Sequence, residues 1–484
     1  MNAPIRRLGM VIAAMFCALL ISTTLIQFVQ ARSLDDRPGN RRTLLASYSK
    51  ERGSILVGGT AVAVSKRTDD QFKWLRTYPQ GSLYADVTGY FSFTYGSTGI
   101  ERSYDNLLNG SSDKLFYRRL TEILTGQSAQ GASVQLTINA KAQEAAAKAL
   151  GNQRGAVVAL DPKTGAILAM VTSPTYNPNL LASHNLDKVQ SSYTALLKDP
   201  AQPLLNRAIN GNLSPPGSTF KLIDAAAALE SGKYTENSEL PGPARLRLPG
   251  TDNYLPNDWP GNCGPGGKVT LKRALTISCN TAYASLGMEL GQDAVRSMAT
   301  KFGFGQPLSI PMSVTPSVFP GSLNKPELAQ SSIGQFDVRA SPLQMAMVSA
   351  TIANGGKEMT PYLVQSVRDG NLDVIESTDP KTFSTPISKS TADSLTDMME
   401  SVVTQGTATT AAIPGIKVAG KTGTAQHGKG RNADVWFTAF APADNPTVAV
   451  AVLVENGGTV GQEATGGLVA APIAKQVMEA VIGK

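Results

Sequence analysis

The sequence predicts an α+β fold: a central antiparallel sheet with helices, preceded by a small, mainly β N-terminal module and one transmembrane helix. Three observations lead there. No charged residue stands between Leu8 and Ala31. Short apolar runs cut by Gly and Asp turns come next, the pattern of strands and loops. Farther on, one hairpin pattern opens and another closes a long segment that otherwise reads as helices, the layout of a single α+β domain. At 484 residues the chain is also too long for one ordinary core.

The uncharged run comes first. As a helix, residues 8–31 rise about 36 Å, enough for a hydrocarbon core of about 30 Å. A secretory signal has a shorter apolar core, about 7–15 residues, and a small-residue cleavage site. Val29-Gln30-Ala31 is a passable site, but the stretch is long, so an uncleaved anchor is expected. Arg6 and Arg7 mark residues 1–7 as a cytoplasmic tail. Arg32, Arg37, Arg41 and Arg42 follow on the other side, so charge alone leaves the orientation open.

Residues 32–130 form the first soluble module, with apolar stretches at Ser54–Val64 and Tyr90–Tyr95, and Gly126–Ala132 reads as linker sequence. Residues 131–153 are expected to connect this module to the next domain. Within them Ser133–Ile138 alternates like a strand, and the Ala-rich run Ala140–Leu150 reads as a helix stopped by Gly151. The third region, 154–484, opens with Ala156–Leu160 and Ala166–Val171 around a Pro- and Gly-containing turn at 161–165. Val435–Ala441 and Thr447–Val454 form the closing hairpin, and one sheet is expected to join the two hairpins. Helices are predicted over 219–230, 270–289, 293–302, 341–354, 391–403 and 471–482.

The net charge of +7 is spread along the chain, and no nucleic-acid reader motif occurs, so nucleic acid is not an expected partner. An anionic envelope polymer or lipid surface would suit the charge. Of three cysteines, Cys17 lies in the apolar segment, and Cys263 and Cys279 are the only pair beyond it. Outside the cytoplasm those two could form one disulfide; otherwise they are two separate buried thiols. His184 and His427 are the only histidines and have no Cys/His cluster near them, so no metal site is expected.

The chemistry starts at Ser214-Pro-Pro-Gly-Ser-Thr-Phe-Lys221. Pro and Gly end an extended segment, and Ser218 then opens an apolar helix. Ser218 and Lys221 are three apart and share a helix face. The helix start offers free N–H groups and a positive dipole end, which suits an activated serine with an oxyanion to hold. Lysine is a poor base at its ordinary pKa of about 10.4, so burial or a second cation must lower it. Lys421 is the candidate cation. Ser-x-x-Lys also occurs at Ser47/Lys50, Ser111/Lys114 and Ser322/Lys325, but only the Ser218 copy sits at a Pro-Gly turn before an apolar helix.

Two further motifs follow. In Ser278-Cys279-Asn280, the hydroxyl of Ser278 can relay a proton and the amide of Asn280 can hold a substrate amide. Ser183-His184-Asn185 and Ser322-Leu323-Asn324 match the same pattern, which elsewhere is common cap or turn sequence. In Lys421-Thr422-Gly423-Thr424, a Gly on a sheet edge would let a substrate backbone approach, and the ammonium and hydroxyls would bind a carboxylate. Lys163-Thr164-Gly165 is a decoy in a hairpin turn. Each motif is weak alone; the order of all three, with Ser218, Ser278 and Lys421 spaced 60 and then 143 positions apart, is specific. It is the three-part signature of serine β-lactamases and penicillin-binding proteins.

On these residues the chain resembles the class B penicillin-binding proteins, monofunctional D,D-transpeptidases that cross-link peptidoglycan. The resemblance extends to Arg52-Gly-Ser-Ile55, Gly99-Ile-Glu-Arg-Ser-Tyr-Asp105, Gly155–Asp161, Asn206-Arg-Ala208, Ser332-Ile-Gly-Gln335 and Ser341–Ala346. It implies a transpeptidase domain over 154–484 and an N-terminal pedestal or dimerisation-like module over 32–130, shorter than those of the family's larger members. It also implies a plasma-membrane protein with a single anchor at 8–31 and an extracytoplasmic catalytic domain. The implied roles are Ser218 as nucleophile, Lys221 as its base, and Ser278 with Lys421 as the proton relay. Asn280, Thr422, Gly423 and Thr424 would hold the substrate, and the N–H groups of Ser218 and Thr424 would form the oxyanion hole. Implied partners are D-Ala-D-Ala stem peptides, an amine acceptor, β-lactams and other cell-wall or division proteins. No metal or organic cofactor is implied.

Three other readings share the motifs. A β-lactamase needs fast deacylation and usually has no anchor or N-terminal module. A D,D-carboxypeptidase would pass the acyl group to water. A non-catalytic division scaffold or β-lactam sensor would not need Ser218. The first soluble region is too short for a second, glycosyltransferase domain.

Overall fold

The structure is a computed structural model and describes residues 2–30, 45, 48–115, 130–371, 373–428 and 430–484. Ala31, Arg32, Arg37, Arg41, Arg42, Ser47 and most of the Gly126–Ala132 stretch lie outside the described residues. Helix α1, Asn2–Thr24, continues in a π-helical turn to Val29. From Ala3 to Val29 it is long and apolar enough to cross a membrane, and none of it is buried in the protein.

Strands β1 (Ile55–Val57), β2 (Thr60–Arg67) and β3 (Trp74–Thr77) make an antiparallel meander. Strand β4 (Ser133–Leu136) pairs parallel with β1. Helix α2 (Ala140–Leu150) starts at Asn139, whose side chain accepts from the N–H of Ala142, and stops at Gly151. The first hairpin is β5 (Gly155–Leu160) and β6 (Ile167–Ser173). Helices α3 (Lys221–Glu230), α4 (Leu271–Thr276), α5 (Asn280–Leu290) and α6 (Pro342–Ala353) follow. Next come β7 (Val364–Arg368), β8 (Val374–Ser377) and helix α7 (Lys389–Gln405). The chain ends with β9 (Ala419–Ala425), β10 (Asp434–Ala441), β11 (Val448–Val454) and helix α8 (Ala471–Ile482).

Two sheets organise these elements. The larger core surrounds a five-stranded antiparallel sheet of order β9-β10-β11-β5-β6, so the first and last hairpins do share one sheet. Every residue of β5, β10 and β11 is buried. Successive strand residues face opposite sides, so both faces of the sheet are covered. Helices α2 and α8 pack on each other and on the sheet, and α6 packs on β11, β10 and β5. That is why these strands read as unbroken Val- and Ala-rich runs.

The other sheet has the order β8-β7-β4-β1-β2-β3. Strand β4, in the stretch expected to connect two domains, lies inside this sheet. Strands β7 and β8 reach it from deep within the third region. In the first module Glu101 accepts from Arg52 Nε and Arg76 Nε, both at 2.6 Å, and all three side chains are buried. Arg52 also reaches Asp105 at 2.6 Å. Attraction from the two arginines outweighs burial and holds the Glu101 carboxyl below its ordinary range.

Two predicted helices differ from those observed. The one expected over 270–289 is broken between α4 and α5, where Ser278 takes a φ of 60°. This left-handed conformation is rare for a residue with a Cβ and turns the chain sharply. The helix expected from 219 begins as a 3₁₀ turn, Gly217–Phe220, with α-helix from Lys221 onward.

Candidate active site

The nucleophile turn and the Lys-Thr-Gly-Thr strand are pressed together. Gly217 has a φ of 53°, and a Cβ there would lie 2.6 Å from the Thr424 carbonyl oxygen and 2.9 Å from its nitrogen. On the other side, a Cβ at Gly423 would lie 2.6 Å from the carbonyl oxygen of Pro216. Only glycines allow this approach. Strand β9 is the end strand of its sheet. Gly217 N–H donates to Gly334 O at 3.0 Å, and Gln335 Nε2 donates to Thr424 O at 3.2 Å. Ser218, almost buried at 8 % exposure, thus sits beside the backbone of Thr424.

The break at Ser278 places its hydroxyl between two amines. Lys421 Nζ donates to Ser278 Oγ at 3.0 Å and to Thr422 O at 2.9 Å. Lys221 Nζ lies 3.3 Å from the same Oγ, 2.9 Å from Ser278 O and 2.7 Å from Asn280 Oδ1. Asn280 Nδ2 donates to Asp258 at 3.0 Å, so one amide ties the base to a carboxylate. Both lysines are fully buried. Burial pulls Lys221 down to about 7, against opposing pulls from Asp258 and Asp224. Lys421 is held well below the ordinary lysine range by burial and then by Lys221. The main cause at Lys221 is therefore burial, and a charge on either amine disfavours a charge on the other.

The other motif copies go elsewhere. Ser111 and Ser322 are exposed, and Ser47 lies outside the described residues. Asn185 and Asn324 cap helices, accepting from the N–H groups of Lys188 and Glu327. Lys163 reaches Asn445 at 2.9 Å in its hairpin turn. Sequence reasoning missed Asp258, and it missed Thr407, whose hydroxyl meets that of Thr422 at 2.6 Å. Neither belongs to a motif. Gln335 lies in Ser332-Ile-Gly-Gln335, which is similar to a family stretch, but the sequence alone gives it no role. Cys263 and Cys279 are joined, with Cα atoms 6.0 Å apart. Because Cys279 is the middle residue of Ser278-Cys-Asn280, the bond ties that motif to the loop carrying Asp258.

Comparison with known proteins gives the family. The penicillin binding protein transpeptidase domain matches residues 155–479, and the penicillin binding protein A dimerisation domain matches residues 52–134. The chain is 44% identical to the peptidoglycan D,D-transpeptidase PbpA of Mycolicibacterium smegmatis, covering 100% of this chain and 99% of that protein. Its identity to PbpA of Mycobacterium tuberculosis is also 44%, with the same coverage. The structure of penicillin-binding protein A from M. tuberculosis as a ceftriaxone acyl-enzyme superposes with a TM-score of 0.87 at 44% identity, over 90% of this chain and 100% of that one. With these motifs assembled on this sheet, the chain belongs to the transpeptidase family of penicillin-binding proteins.

Proposed function

We propose that the chain is a peptidoglycan D,D-transpeptidase that works through an acyl-enzyme on Ser218 and is a target of β-lactams. One observation carries the reading: two buried lysine amines, from α3 and β9, converge on the Ser278 hydroxyl beside the nucleophile turn. Ser218 Oγ attacks the penultimate D-Ala carbonyl carbon as its proton passes to Lys221 Nζ. The N–H groups of Ser218 and Thr424 hold the oxyanion. The intermediate collapses to a Ser218 ester, and D-Ala leaves with a proton delivered through Ser278 and Lys421. An amine from a neighbouring stem peptide then attacks the ester, forms the cross-link amide and frees Ser218. Thr422, Gly423 and Thr424 hold the terminal carboxylate and Asn280 the donor amide. Thr407 orients the Thr422 hydroxyl.

Because this substrate lies outside the membrane, α1 is read as a plasma-membrane anchor with residues 1–7 cytoplasmic and the rest outside. Residues 32–130 serve as the pedestal or dimerisation-like module, and other cell-wall or division proteins are the expected partners.

The test is mass spectrometry of the whole protein after a labelled penicillin, followed by product analysis with a stem peptide and an amine acceptor. The expected label is on Ser218, with amide product in excess over hydrolysis. A label elsewhere, or full growth and cross-linking supported by Ser218→Ala, overturns the reading. Hydrolysis alone would make the chain a carboxypeptidase.

A further inference from the structure

Lys221 has a close neighbour that the acyl-transfer scheme does not use. Asp224 lies three residues farther along α3, on the same helix face one turn away. Its side chain is fully buried, and neither carboxyl oxygen has a hydrogen-bond partner. Buried polar groups are nearly always paired, so an unpaired carboxyl needs a reason. Tyr283 on α5 is equally buried, and its hydroxyl is also unpartnered. Its ring lies 5.6 Å from Lys221 Nζ. Asp224 acts electrostatically on both Lys221 and Tyr283. Burial disfavours charge on Asp224 and on Lys221 alike, while each favours charge on the other.

We propose that Asp224 is a positioning residue for acyl transfer, acting through Lys221 as the buried counter-group that favours the ammonium formed when Lys221 takes the Ser218 proton. The inference rests on the reading of Lys221 as the base. No atom of Asp224 touches the reacting carbonyl. The proton leaves Ser218 Oγ as that oxygen bonds to the carbonyl carbon, and it lands on Lys221 Nζ. The titratable groups facing Lys221 are Asp224 on the same helix, Tyr283 on α5, Lys421 on β9 and Asp258 in the loop before α4. Lys421 works against the ammonium, and the two carboxyls work for it. Asp258 is tied to Lys221 through the Asn280 amide, which the acyl-transfer scheme assigns to the substrate, whereas the Asp224 carboxyl has no hydrogen-bond partner.

The experiment measures the acylation rate with a fluorescent penicillin from pH 5.5 to 9, on the whole protein and on Asp224→Asn. In the wild type the rate should rise about tenfold per pH unit and level off near pH 7, where Lys221 becomes a free base. In Asp224→Asn the loss of the carboxyl lowers the basicity of Lys221. The acid limb should then move to lower pH by about half a unit or more, and the plateau rate should fall several-fold as the base weakens. A limb that superimposes on the wild-type limb, in a protein with unchanged circular dichroism, overturns the proposal. If Asp224→Asn does not fold, Asp224→Ala, which removes the carboxyl without adding bulk to the buried site, carries the same readout. Failure of the base reading looks different: the wild-type profile would have no break near pH 7, or Lys221→Met would acylate normally.

Discussion

Glu358 provides a stability test independent of the chemistry at Ser218. It lies in the short strand Glu358–Met359, paired with Thr382–Ser384, and its side chain is 1 % exposed. Oε2 accepts from Ser384 Oγ at 2.8 Å, while Oε1 has no partner. Burial, only partly offset by that hydroxyl, pushes the carboxyl up from 4.5 to about 8. At pH 7 the folded protein therefore keeps a proton that the unfolded chain has lost. Across about 2.5 pH units, at about 1.4 kcal/mol each, the cost is about 3 kcal/mol. The folded pKa is raised, so this contribution to stability is complete below about pH 4.5 and is lost as pH rises through about 8. Glu358→Gln keeps the shape and can still accept from Ser384, but it does not titrate. The variant should exceed the wild type by about 3 kcal/mol at pH 7, with that advantage gone near pH 4.5. Urea midpoints of both proteins at pH 5 and pH 7.5 measure the difference, and acylation should not change. A gap between the two proteins that is equal at both pH values would refute the reasoning.

Three further outcomes are expected. Ser278→Ala removes the hydroxyl that both amines share, so acylation by a penicillin should slow by about 10²–10⁴-fold while the melting curve stays close to that of the wild type. Cys263→Ser opens a 16-residue loop and should cost about 3 kcal/mol by urea unfolding, with a reductant lowering the wild-type midpoint similarly. Glu101→Gln leaves Arg76 buried without its counter-charge and Arg52 with only the partly exposed Asp105. It should destabilise the first module by about 3–5 kcal/mol, visible as an earlier thermal transition.

Local pattern was readable where local forces decide. The helix predicted over 471–482 is α8, and both hairpins fall within a residue or two of their expected strands. Their burial writes itself into the sequence as apolar runs. The helix expected over 270–289 differs because Ser278 turns left-handed and Cys279 then caps α5, with the Ser278 hydroxyl held by amines from β9 and α3. The pairing of β4 with β7 was also out of reach, since a ladder between distant segments leaves no periodic trace. Asp258 and Thr407 escape sequence reasoning for the same reason, as their significance comes from partners in other segments; Asp224 is close to Lys221 in sequence, but only the fold leaves its carboxyl buried without a partner.

The candidate nucleophile, its two companion motifs and their order are contained in the residues themselves. Their chemical identity and spacing point to acyl transfer without any coordinates. The protonation state of Lys221 is not contained there. A lysine in a Ser-x-x-Lys motif is an ordinary cation until a fold removes it from water. Here the packing of the Gly217–Phe220 turn against β9 and of α3 against α5 does so, bringing Lys221 to about 7. The left-handed turn at Ser278 and the contact of Gly217 with Thr424 likewise exist only once the sheet and helices close. Desolvation and close approach belong to the assembled surroundings, so tertiary structure alone can make this serine reactive.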